Sequence, residues 1–182
     1  MRKINDFENV QPSTGDFSKP TAGGYCIEIL DVTDIPLDAT TGKGDYLRIN
    51  YDICKGDFAG YYTKQNERFG GDWFASFIRS YKESAAGMFK HFINCVEESN
   101  AGYKWAWYEK SLVHKYVGVV LGEEEYRKNN GEIGVKLVVK EIKTVEQISN
   151  GDFKIPAVKK LSPTVEQING FTPIQPDDEV PF

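Results

Sequence analysis

The segment Tyr46-Leu47-Arg48-Ile49-Asn50-Tyr51-Asp52-Ile53 alternates without a break. Leu47, Ile49, Tyr51 and Ile53 fall on one side of an extended chain and Tyr46, Arg48, Asn50 and Asp52 on the other, because successive side chains of a strand point to opposite faces. Such alternation predicts a half-buried strand whose wet face carries an aromatic ring and a cation. Upstream, residues 25–32 read as a first strand entered through Gly23-Gly24. Residues 38–45, small and turn-forming, read as the loop between the two strands.

Lys55-Gly56-Asp57-Phe58-Ala59-Gly60 reads as a turn, which predicts a third, antiparallel strand over 61–69. Tyr62, Lys64, Asn66 and Arg68 line one side of it, and Gly70-Gly71 closes it. From 72 to 99 the period changes. Phe74, Phe77, Ile78, Tyr81, Met88, Phe89, Phe92, Ile93 and Val96 recur at spacings of three and four, predicting a helical segment broken near Gly87. Asn100-Ala101-Gly102 stops it. The strand pattern returns over 112–121 with a polar extension through 123–128. Asn129-Asn130-Gly131 then predicts a hairpin turn into a last strand over 135–142.

Three strands, a helix and two strands is the order of an OB-fold, a partly open five-stranded Greek-key barrel that binds nucleic acids or oligosaccharides, and a β-sandwich or another small barrel fits the same order. The predicted class is therefore all-β with a helical insert between strands 3 and 4. Residues 1–22 read as an N-terminal arm, 23–146 as the domain, and the proline-containing stretch 147–182 as a linker and acidic tail.

The chain has 182 residues, 40% apolar and 13% aromatic, enough to bury a core without a disulfide or metal. Neither a membrane-length apolar run nor an apolar leader after Met1-Arg2-Lys3 is present in the sequence, which predicts a cytoplasmic protein with no membrane contact. Cys26, Cys54 and Cys95 are an odd number without paired spacing. They predict a reducing compartment and argue against a disulfide framework. Of the net charge of −5, four acids (Glu166, Asp177, Asp178 and Glu179) sit in residues 161–182, which hold no Lys or Arg; the first 160 residues are near −1. Net charge thus neither advertises nor excludes a polyanion partner, and the arrangement of the cations decides.

Sequence-tolerant binding of a single strand needs aromatic faces for bases and cations for phosphates. Tyr46 and Arg48 supply these on the second strand, and Tyr62, Lys64, Arg68 and Phe69 on the expected third; Trp73 follows, and Lys136 and Lys140 share a face of the last strand. Trp105 and Trp107 read as packing residues. The plainer alternative for the strand residues is β-propensity and edge protection. His91 and Cys95, four apart on a predicted helix, make only half a metal site, so no metal, cofactor or catalytic residue is assigned.

The last six residues, Asp177-Asp178-Glu179-Val180-Pro181-Phe182, resemble the acidic tip of bacterial single-stranded-DNA-binding proteins. More loosely, residues 97–100 with Lys104-Trp105, Gly122-Glu123-Glu124-Glu125-Tyr126 and Gly151-Asp152-Phe153-Lys154-Ile155-Pro156 resemble the single-stranded-DNA-binding proteins of phages and mobile elements of Gram-positive bacteria. The resemblance implies a non-enzymatic OB barrel that holds single-stranded DNA. It also implies that Asp177, Asp178, Glu179, Val180, Pro181 and Phe182 recruit replication, recombination and repair proteins, and that several copies can assemble as a homo-oligomer. The linker here is short and lacks a Gly/Gln-rich stretch, and the helical insert is longer than the OB order needs. A different class of function fits as well: a protein-binding adaptor whose acidic tail is a docking arm.

Overall fold

The computed structural model describes residues 18–71, 73 and 75–161, with Lys3 and Glu8. The tip residues Asp177 to Phe182 and most of the N-terminal arm lie outside the described residues. Strands β1 (Gly23–Ile35), β2 (Tyr46–Ile53), β3 (Ser76–Ser80), β4 (Tyr116–Arg127) and β5 (Ile133–Lys143) form one antiparallel sheet in the order β3-β2-β1-β4-β5. Helix α1 (Tyr61–Phe69) lies between β2 and β3, α2 (Ala86–Ser99) between β3 and β4, and α3 (Val145–Ser149) after β5.

The alternation of β2 decides which way the sheet faces. Leu47, Ile49, Tyr51 and Ile53 are all buried, against Ile27, Ile29 and Val32 of β1, Val117, Val119 and Leu121 of β4, and Phe92 and Val96 of α2. Each fully enclosed aliphatic or aromatic side chain contributes about 1.5–3 kcal/mol, so register is held by the apolar face. A bulge at Leu30 shows this. Ile29 pairs with Tyr51 and Asp31 with Asn50; the extra residue turns Asp31 outward and brings Val32 into the core opposite Ile49.

Two expected elements differ. Residues 61–69 are helix α1, not a third strand. No local side chain caps this helix, whose entry residue is Gly60 at φ 70°. Instead the buried carboxylate of Asp52, on the face of β2 expected to be wet, reaches the first turn. Its Oδ1 accepts from the backbone N–H of Ile53 (2.7 Å) and Tyr62 (3.0 Å), and its Oδ2 from the N–H (2.9 Å) and hydroxyl (2.6 Å) of Thr63. A carboxylate at a helix N-terminus satisfies orphan donors and meets the positive end of the helix dipole. α1 therefore closes the Asp52 end of the outer face of β2, while Arg48 farther along the strand stays exposed. The second difference lies in the helical stretch expected over 72–99, which begins as β3, with Phe77 buried and Ile78 on the opposite, exposed face. Apolar residues on both faces of a short strand imitate the spacing of a helical stripe. The helix begins only at Ala86, after a 3-10 turn over Glu83–Ala85, and sits between the third and fourth strands.

Beyond β5 the chain returns along the sheet. Thr144 and Gln147 form a capping box at α3. Lys159 exchanges backbone hydrogen bonds with β4, its N–H to Glu123 O and its carbonyl from Glu125 N–H, both 2.9 Å. Gly24 and Gly118 permit this close approach, since a Cβ at either would meet the Phe153 ring or the Ile148 side chain at 2.5 Å.

Removing the Asp52 carboxylate leaves four donors unmet. Asp52→Ala is expected to lower the unfolding free energy by about 2–4 kcal/mol, read from urea denaturation, with Asp52→Asn intermediate. A loss below about 1 kcal/mol in Asp52→Ala would show that α1 is held by something else.

Candidate nucleic-acid interface

The exposed part of the outer face runs along β2 and β3. Arg48 is exposed, opposite Thr33 of β1 and Ile78 of β3. Among the described residues its guanidinium has no ion pair or side-chain hydrogen bond. Tyr46, half-buried, pairs with Ile35 and Ser80, and Asn50 with Asp31 and Ser76. Residues at alternate positions of one strand are about 7 Å apart, so Tyr46, Arg48 and Asn50 form a row about 13 Å long. Beside them stands the row Ser80, Ile78 and Ser76, in which Ile78 is 51% exposed. The Oδ1 atom of Asn50 is buried without a hydrogen-bond partner among the described residues. The one acid on this stretch, Asp31, is held by the Lys110 ammonium (3.0 Å) and the Thr33 hydroxyl (3.0 Å), which keep its carboxyl below the usual carboxylate range.

At Ser76 this face opens into a hollow of about 460 Å³ between β5 and the start of β3, lined by Tyr51, Tyr61, Tyr62, Ala75, Val135, Lys136 and Leu137, with Lys19 at its edge. Lys136 is exposed and unpaired among the described residues. The part-exposed Tyr61 ring, with Lys19 and Lys136, thus continues the path begun by Tyr46 and Arg48, while Tyr51 and Tyr62 are core residues that line the hollow only by their edges and Glu123 also borders it.

The other expected residues fall elsewhere. Tyr62 is 6% exposed and belongs to the core, edge-on to Tyr51 at 5.7 Å and to Tyr61 at 5.2 Å; only its edge reaches the hollow. Lys64, Arg68 and Phe69 ride on α1 rather than on a strand facing Arg48. The Lys64 ammonium donates to Ala59 O (3.2 Å), and the Arg68 guanidinium lies 5.1 Å from the centre of the Phe69 ring, which is 71% exposed. The Trp73 indole N–H is committed to the fold, shared between the carbonyls of Ala75 (3.0 Å) and Tyr51 (3.2 Å). Lys140 shares the face of Lys136 but is not a free cation there. It sits where the β4–β5 register shifts and pairs with Glu124, which Lys159 also approaches at 3.4 Å.

A second aromatic surface was hidden in the sequence. Trp105, Trp107, Phe89 and Tyr81 border a groove of about 510 Å³ beside α2. The Trp107 and Phe89 rings are nearly parallel, 12° apart with centres at 6.4 Å. Trp107 is 79% exposed and stands at φ 57°, a conformation that a bulky side chain rarely adopts. The Trp105 indole N–H is buried without a partner among the described residues. The clustering of three aromatics in 105–108 was visible in the sequence; their exposure follows from the left-handed turn at Trp107, which no sequence pattern announces.

His91 is an exposed residue of α2 whose Nε2 lies 2.9 Å from the Ile142 carbonyl, which accepts, and 3.6 Å from Cys95 Sγ. Among the described residues no group of three or more His, Cys, Asp or Glu side chains is placed to hold a metal ion. None of their helices is long and apolar enough to cross a membrane. The sequence matches no protein-family model and no curated protein.

Burial pushes the Tyr62 phenol up to about 12 and raises that of Tyr51 as well. A phenol raised in the folded state stays neutral while its unfolded counterpart ionises near pH 10. Stability is therefore flat below pH 10 and falls by about 1.4 kcal/mol per pH unit per such group up to the folded value. Absorbance at 295 nm is expected to rise in two phases, the later one above pH 11 and coincident with loss of the far-UV signal. A single phase complete near pH 10 in the intact fold would overturn this placement of the tyrosines.

Proposed function

We propose that this chain is an OB-fold protein that binds single-stranded DNA without strong sequence preference. The observation that carries the reading is the continuous outer path from Tyr46 and Arg48, past Ile78 and Asn50, into the hollow of Tyr61 and Lys136. It combines the exposed Ile78 and the part-exposed rings of Tyr46 and Tyr61 with cations that enter no ion pair among the described residues. Bases stack on such surfaces irrespective of sequence at about 1–3 kcal/mol each, and phosphates meet the cations. The five-stranded antiparallel sheet with its helix between β3 and β4 is compatible with the barrel whose second and third strands carry this face. In this reading the protein is not an enzyme; it coats transient single strands and acts in replication, recombination and repair. The residues Asp177 to Phe182 recruit partner proteins, because an acidic peptide steers to a basic groove, its phenyl ring fills an apolar pocket and Pro181 limits the entropy lost on docking.

A second reading, a protein-binding adaptor, is favoured by the Trp105–Trp107 groove, whose mostly apolar lining suits a partner's side chains.

Titration of oligothymidylate into the protein, followed by anisotropy of a labelled strand, tests the first reading. Saturable binding is expected that weakens with salt and is not matched by duplex of equal length. Arg48→Ala is expected to weaken binding roughly fivefold and to flatten the log–log salt slope by about 0.7; Lys136→Ala does the same, whereas Trp107→Ala leaves affinity unchanged. No binding at low salt would leave the adaptor reading, and normal affinity in both cation variants would place the site elsewhere.

A further inference from the structure

The sequence presents Cys26 and Cys54 as 28 positions apart with no motif between them, yet the sheet makes them direct neighbours. Ile27 pairs with Ile53 in the β1–β2 ladder, so the next antiparallel pair outward is Cys26 with Cys54. The backbone N–H of Cys54 donates to the Cys26 carbonyl at 2.9 Å. The two sulfurs lie 2.9 Å apart, both as thiols. Opposed residues in a hydrogen-bonded antiparallel pair have Cα atoms about 5.5 Å apart, inside the range of about 4.4–6.8 Å that a disulfide spans. Closing the gap to a covalent bond needs a movement of under about 1 Å, which side-chain rotation supplies.

Access is also built. Cys26 is buried, but Cys54 is half-exposed and lines a surface hollow with Glu28, Asp52, Lys55, Thr63 and Tyr116. The charged groups facing the pair are the Lys55 ammonium and the carboxylates of Glu28 and Asp52. The hydrogen bond from the Cys54 thiol, aided by Lys55, lowers the pKa of Cys26, and the same bond raises that of Cys54. The thiolate of the pair is thus favoured at one sulfur and the proton retained on the other. Cys95 differs: it is buried beside His91, and burial pushes its thiol up to about 11.

We infer that Cys26 and Cys54 form a reversible disulfide by exchange with small dialkyl disulfides, leaving Cys95 a thiol. One protein thiolate attacks the S–S bond of the small disulfide, forming a mixed disulfide and releasing one small thiolate. The second protein sulfur, as thiolate, attacks the protein-side sulfur of that bond and releases the other. Two protein thiols are oxidised, one small disulfide is reduced to two thiols, and the two protein protons pass to the released thiolates. The bond staples β1 to β2 where the chain leaves β2 for the turn at 55–60 and α1. It closes a loop of 28 residues and so restricts the unfolded chain.

The test uses the full chain, freed of reductant and incubated with 2-hydroxyethyl disulfide, then alkylated and weighed intact. The expected product is a monomer that has lost two hydrogens, takes up one alkyl group, yields a Cys26–Cys54 cross-linked peptide and reverts with dithiothreitol. Its Tm is expected to rise by about 5 °C or more. Cys95→Ser oxidises identically, while Cys26→Ser and Cys54→Ser lose no hydrogens. If either of these variants fails to fold by circular dichroism, the wild-type and Cys95→Ser products alone decide. Three alkylatable thiols after incubation, a cross-link through Cys95 or a disulfide between two copies would each overturn the inference.

Discussion

One carboxylate ties the two halves of this molecule together. Asp52 sits at the end of β2, is buried, and meets three backbone N–H groups and a hydroxyl, two of those N–H groups belonging to the first turn of α1. Its charge is balanced by peptide dipoles rather than by a cation. Such an arrangement avoids the cost of desolvating a second ion, but it fixes the helix to one position, because each donor is directional. With α1 pinned there, Tyr61 and Tyr62 reach the hollow beside β5, the Cys26–Cys54 pair stands where β2 gives way to the turn at 55–60, and Arg48 stays exposed farther along the strand. The division of one strand face into a covered part and an exposed part is the constraint from which both sites follow.

That constraint explains what could be read from the sequence and what could not. The alternation from Tyr46 to Ile53 located the core face correctly, since burial follows period two when the strand is long and one side is wholly apolar. The same alternation assigned Asp52 to water, because its partner helix lies ten positions ahead and carries no cap signal of its own. Residues 61–69 have no apolar side under a strand reading, which is the mark of an element packed by one end rather than along a face. Only Tyr62 is buried in α1. Farther on, Phe77 and Ile78 gave a helical spacing from a strand with apolar residues on both sides. The five strands and the helix between the third and fourth are retained, with the third strand at 76–80 and a further helix, α1, between the second and third.

For the candidate interface, residue type was more legible than position. Arg48 and Lys136 are exposed on the faces that alternation assigned them, because strand alternation is faithful over short spans. Lys140 keeps the face of Lys136, but its charge is taken by Glu124, the residue opposite Lys136 on β4. Trp73 is partly buried against the core, and the backbone carbonyls of Tyr51 and Ala75 take its N–H. Neither effect leaves a trace in composition, since both depend on partners distant in the chain.

The distribution of ion pairs gives the face its character despite a body whose formal charge is near zero. Lys104 is spent on Glu97, Lys110 on Asp31, Lys128 on Glu132, and Lys140 with Lys159 on Glu124. These pairs cancel locally and are mostly solvent-exposed, where each adds little stability. Their effect is instead to set the sign of what remains. Among the described residues Arg48 and Lys136 have no such partner, and they stand at two ends of one path. Within a Debye length of about 8–10 Å, an approaching phosphate senses these uncompensated charges and not the chain's total of −5. A net-negative chain can therefore present a locally cationic groove, and attraction to that groove fades with salt less steeply than a strongly basic protein's would, because the log–log slope scales with the few charges that create it.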